Sequence, residues 1–148
     1  MLQTMYENAG KWSCLTQDYL YAVIDFLSPT LDDEAKLNML NTAIMAAYIG
    51  KAGIDEEFYV SDPVRLMKKM AAALGKSINV SVTKQDITKF DDIPNDGKYR
   101  AVRKSYNGKS HYALFRGNKL LYNSLKRSVC YESGEFDTMR NIDISEIK

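Results

Sequence analysis

The hydrophobic pattern of this chain changes period near residue 76, and that change limits the possible fold more than any other feature. Before it, apolar residues recur at helical spacing; after it, they alternate. Leu15, Tyr19, Val23 and Phe26 form one stripe, widened by Leu20, Ile24 and Leu27, and Ser28-Pro29-Thr30 ends it. This predicts a first helix over 13–27. Leu37, Leu40, Ile44, Ala47 and Tyr48 predict a second, from Asp32 or Asp33 to Lys51, with acidic residues at its N-terminal dipole and Gly50 and Gly53 at its end. After a strand-like Phe58-Tyr59-Val60, Ser61-Asp62-Pro63 supplies caps for a third helix. Val64, Met67, Met70 and Leu74 face inward there, and Gly75 is the stop.

Downstream, 78–82 and 99–106 read as strands around a turn-rich 91–97, "HYALF" and "KLLYNSL" flank a turn, and 136–144 reads as a last strand. Helices first and strands afterwards predict an α+β fold, N-terminal helices on a C-terminal antiparallel sheet. At 148 residues, with no internal repeat or low-complexity linker, the expectation is a single domain over 1–148.

A net charge of +1 offers no global field for nucleic acid or anionic lipid, so function must come from local sites. The N-terminal stretch has no basic start followed by an apolar run, and "YLYAVIDFL" at 19–27 is interrupted by Asp25 and too short to span a bilayer. The expectation is a cytoplasmic protein without a membrane partner. Cys14 and Cys130 read as free thiols, and two cysteines with one histidine fall short of a structural zinc site. No metal and no cofactor is implied.

The single histidine, His111, opens the first strand of a predicted hairpin. As a catalytic base it needs a nucleophile and an orienting group. Cys14 stands where the first helix begins, so first-turn amides favour its thiolate; Cys130, in "SVCYESG", has no such dipole. Asn123 lies 12 residues after His111. A two-residue loop, Gly117-Asn118, sets His111 opposite Ser124 and turns Asn123 to the other face. A three-residue loop, Arg116-Gly117-Asn118, or a bulge with the same effect, brings Asn123 to His111. The oxyanion donors expected are the Cys14 amide and the side chain of Asn8.

This order, with a cysteine at the first long helix, then helices, then strand-borne "HYALF" and "YN", resembles the papain-like cysteine peptidase superfamily. The likeness is to its compact bacterial and phage members, such as the bacteriocin leader-processing peptidases. The resemblance covers nearly the whole chain and implies a papain-like fold. Cys14 matches the nucleophile, His111 the base and Asn123 the orienting residue, while Asn8 matches the oxyanion residue by spacing though not by type. Trp12 would line the cleft. Such families carry glycine beside the cysteine, where this chain has Ser13 and Leu15. The implied activity is acyl transfer on a peptide or amide bond of a peptide or protein substrate, from an imidazolium–thiolate resting pair.

Two other readings stand beside it. One is a catalytically inactive scaffold for protein interaction. The other is a single-stranded nucleic-acid-binding module built on 98–112, where Lys98, Arg100, Arg103, Lys104 and Lys109 interleave with Tyr99, Tyr106 and Tyr112. Strand alternation on a solvated edge produces the same pattern, which disfavours nucleic acid as a partner.

Overall fold

The computed structural model describes residues 14–50, 60–106, 109–123 and 136–147. Three helices come first: α1 (Cys14–Leu27), α2 (Asp33–Gly50) and α3 (Pro63–Ala73). Each begins or ends where local chemistry dictates. Asp32 accepts the Ala35 amide at 2.8 Å before α2, and Asp62 accepts the Arg65 amide at 3.0 Å before Pro63 opens α3. Gly75, at φ +76°, ends α3 in the left-handed region, and the Lys76 amide returns to the Ala71 carbonyl. Of the strand-like 58–60, Val60 forms an isolated bridge and the rest lies outside the described residues.

Five strands follow: β1 (Ile78–Asp86), β2 (Tyr99–Tyr106), β3 (Lys109–Arg116), β4 (Lys119–Tyr122) and β5 (Phe136–Glu146). They form one antiparallel sheet in the order β1-β5-β2-β3-β4. The fold is therefore α+β, as the change of period predicts. Two features depart from the sequence reading. β1 continues past Val82 to Asp86 because β5 pairs with it over that whole length, from Ile78↔Glu146 to Asp86↔Thr138. The last strand enters between β1 and β2, so the 87–98 connection has to cross the sheet. It does so with a short 3-10 turn at Phe90–Asp92, and Ile87, Phe90 and Ile93 cover Val102, Ala113, Phe115, Phe136 and Met139 on the face away from the helices.

The helices cover the opposite face, against Ile78, Tyr99, Ala101, Leu114 and Ile142. Between sheet and helices lies α1, in which every residue from Thr16 to Asp25 is buried. The sequence predicts a broad apolar face; the structure buries the helix all round, polar residues included. Asp25 illustrates how this is tolerated. Its Oδ1 accepts from Lys36 Nζ of α2 at 2.7 Å, and its Oδ2 from the Tyr99 hydroxyl of β2 at 2.6 Å, with Arg116 Nη1 at 3.5 Å. Burial and the bond to Asp25 hold the Tyr99 phenol well above its usual range.

The Lys36 and Asp25 side chains are only 7% and 3% exposed, so removing one partner strands the other in a dry interior. Asp25→Ala is expected to cost about 3–5 kcal/mol in urea unfolding. Replacing Asp25, Lys36 and Tyr99 together by Leu, Met and Phe is expected to recover most of that loss. A single-variant cost below about 1 kcal/mol counts against the network as a fixed point of the fold.

Candidate functional site

Cys14 is the first described residue of α1 and is half-buried. Its sulfur accepts the backbone N–H of Tyr112 in β3 at 3.3 Å. The Tyr112 nitrogen is bonded to the His111 carbonyl carbon, so standard backbone lengths put the sulfur within about 6 Å of the His111 Cα. Residues 98 positions apart in sequence thus meet, and the sulfur lies beside the His111 backbone.

His111 is buried, 6% exposed, and its Nε2 lies 2.7 Å from Asn123 Oδ1. The hairpin reaches this arrangement by the second of the two expected routes. The turn is the two-residue Gly117-Asn118, since Arg116 pairs with Lys119; the three-residue loop is corrected. Gly117 sits at φ +60°, and a Cβ there would lie 3.1 Å from both the Asn95 side chain and the Gly97 backbone, so the turn requires glycine. Phe115 then pairs with Leu120, but Leu114 pairs with Tyr122, leaving Leu121 as an extra residue. This bulge reverses the alternation of the residues beyond it. Without it Asn123 faces away from His111; with it, the two bond.

The bond defines the ring's chemistry. Asn Oδ1 only accepts, so in this contact Nε2 is the donor, and a neutral ring with that tautomer carries its lone pair on Nδ1. Burial lowers the His111 pKa from 6.5, and the Asn123 bond opposes that shift. Burial raises the Cys14 pKa from 9.0; the Tyr112 amide pulls it down, the Asp18 carboxyl pushes it up, and the amides of Leu15 and Cys14 pull it down again. Both net shifts favour uncharged groups. At Cys14 the helix terminus and the Tyr112 amide do not outweigh desolvation, so neither shift runs in the direction that an imidazolium–thiolate pair needs.

One turn along α1 from Cys14 lies Asp18, fully buried, with neither carboxyl oxygen hydrogen-bonded. Burial drives its pKa well above 3.8. Sequence reasoning missed it because an Asp four residues after a helix start reads as solvent-facing.

Asn8, Trp12 and Cys130 lie outside the described residues. On 98–112, the alternation expected from sequence holds: Tyr99 and Ala101 pack under the helices and Val102 on the far face. Arg100 makes two 2.7 Å bonds to Asp96 and one of 2.9 Å to Asn141, Arg103 bonds Asp137 at 2.7 Å, and Lys104 sits over the Phe136 ring. These cations, and the buried Tyr99, are engaged within the fold. Among the described residues no three His, Cys, Asp or Glu side chains gather as a metal site, and no helix is long and apolar enough to cross a membrane. Comparison of the chain with protein-family models, with curated proteins and with solved structures finds no significant match.

Asp18 generates a pH-dependent prediction. A carboxyl whose folded pKa is raised contributes stability that is fully present below the unfolded value, near 3.9, and is lost as pH rises toward the folded value. Asp18→Asn removes this loss. In urea unfolding, the variant is expected to gain on the parent by up to about 1.4 kcal/mol per pH unit above pH 4, levelling off at the folded pKa. A stability difference independent of pH between 4 and 8 would overturn the assignment.

Proposed function

We propose that the protein is a cysteine peptidase or amidase of papain-like type, acting by Cys-His-Asn acyl transfer on a peptide or amide bond. The observation that carries this reading is the chain of contacts from Asn123 through the His111 ring to the strand amide that binds the Cys14 sulfur. The orienting residue occupies Nε2, and Nδ1 remains as the basic nitrogen. That division of labour is what a thiol nucleophile requires.

From a neutral pair, the Cys14 proton moves to His111 Nδ1 as the sulfur attacks the carbonyl carbon, so the base acts during attack. The developing oxyanion is met by the Cys14 amide at the start of α1 and, in this reading, by Asn8. The proton on Nδ1 then passes to the leaving amine as its C–N bond breaks. Water attacks the resulting thioester, again giving its proton to His111, and the acid is released with the thiol restored. Asn123 holds the ring and favours its protonated form during these steps.

p-Nitrophenyl acetate tests the acyl-transfer step without knowledge of the natural substrate. The parent is expected to release a burst of nitrophenolate equal to its Cys14 content, with an acetyl thioester on Cys14 detectable by mass. His111→Ala is expected to slow acylation about 10²–10⁴-fold. Because the His111 pKa is lowered and that of Cys14 is raised, the acylation rate is expected to rise with an acid limb below pH 6.5. It then stays flat until thiolate formation takes over above pH 9. A folded parent that shows no burst, or whose Cys14 acylation rate is the same in His111→Ala at every pH, overturns the enzyme reading in favour of a non-catalytic scaffold.

A further inference from the structure

We propose that Tyr122 is the positioning residue for the base: it ties the bulged end of β4 to the cysteine helix and thereby aims Asn123 at His111. This rests on reading Cys14, His111 and Asn123 as an acyl-transfer site.

The need for such a tie follows from β4 itself. The strand has four residues, Leu121 is left over in the ladder, and the last described pair with β3 is Leu114↔Tyr122. Asn123 is the next residue, beyond the strand. Short edge strands of this kind fray, and a 2.7 Å bond to His111 does not survive a displacement of about 1 Å. Among the contacts that oppose fraying, two made by Tyr122 reach α1 directly. Its hydroxyl donates to Gln17 Oε1 at 2.6 Å, and its ring stacks on Tyr21 with centroids 4.7 Å apart and planes at 14°. Gln17 and Tyr21 are one turn apart on α1, and Gln17 follows Cys14 by three residues, so the anchor stands on the turns that carry the nucleophile.

The geometry also separates the two jobs. Tyr122 packs toward the helices with Leu114 and Tyr112, whereas His111, Ala113 and Phe115 alternate to the other side of β3. The last residue of β4 and the one after it therefore supply an anchor on one face and the ring's partner on the other. The hydroxyl fixes how far the strand end can slide along α1, and the stack fixes its rotation.

His111 is the only histidine in the chain, so its ¹⁵N-imidazole NMR signals are unambiguous. Tyr122→Phe keeps the ring and removes the hydroxyl bond. The Asn123 bond raises the His111 pKa, so loosening it is expected to lower that pKa further and to reduce the Nε2–H tautomer. The values are expected to move partway toward those of Asn123→Ala, and the double variant to go no further than Asn123→Ala alone. The acylation rate with p-nitrophenyl acetate is expected to fall between about 3- and 100-fold, with its acid limb displaced to lower pH. Should Tyr122→Phe fail to fold, Gln17→Met removes the same bond from the helix side and is held to the same outcome. Lys36→Met, which weakens the far end of α1, is expected to leave the tautomer unchanged. A Tyr122→Phe protein with the parent's His111 pKa and tautomer, whatever its stability, overturns the proposal. The NMR result does not depend on turnover: a clamp-dependent tautomer in a parent without a burst keeps the clamp and defeats the acyl-transfer reading alone.

Discussion

Burial of α1 on every side is the constraint on which the rest of the structure depends. A helix enclosed by two other helices and a sheet has no solvent for its polar side chains, and an unpaired polar group in such a place is destabilising by several kcal/mol. Between Thr16 and Asp25 the chain nevertheless carries Thr16, Gln17, Asp18 and Asp25. Their partners come from elements far apart in sequence: Tyr122 of β4 for Gln17, and Lys36 of α2 with Tyr99 of β2 for Asp25. Apolar packing alone tolerates a small slide or rotation of a helix on a sheet. Hydrogen bonds of 2.6–2.7 Å at both ends do not. The contact of the Cys14 sulfur with the Tyr112 amide follows from that registration.

The same burial governs the electrostatics. It raises the Cys14 pKa and lowers that of His111, favouring the uncharged form of each. A dry site strengthens each interaction made as charge develops, which suits a base that acts during attack. Asp18 is the opposite case. It is buried one turn from Cys14, and neither carboxyl oxygen has a hydrogen-bond partner among the described residues, a locally unfavourable arrangement. Such violations of the rules of stable cores concentrate around functional sites.

The sequence carries the layer order and much of the site, for definite reasons. Helical and alternating periods are local, so three helices followed by strands could be read directly, as could the caps at Asp62 and Gly75. The pairing of His111 with Asn123 could be posed as a question of register, because hairpin partners are close in sequence. The insertion of β5 between β1 and β2 could not be read, since nothing local distinguishes a central antiparallel strand from an edge one. Nor could the role of Asp25, which interrupts an apolar run and looks like a solvent-facing break. Its partners Lys36 and Tyr99 lie on other elements. Nor could the direction of the Cys14 and His111 shifts, because desolvation is a property of the packed site and not of the helix start.

The bulge at Leu121 shows why a site of this kind is sensitive to a single residue. A regular two-residue hairpin turns Asn123 away from His111 and satisfies every ladder position. One surplus residue forfeits a pair in the ladder and reverses the facing of everything after it. In an ordinary edge strand that exchange would only weaken the sheet. Here the reversed residues are Tyr122, which then meets α1, and Asn123, which then meets His111. The irregularity and the two contacts account for one another: the bulge makes both bonds possible, and the bonds hold a strand end that the shortened ladder no longer secures.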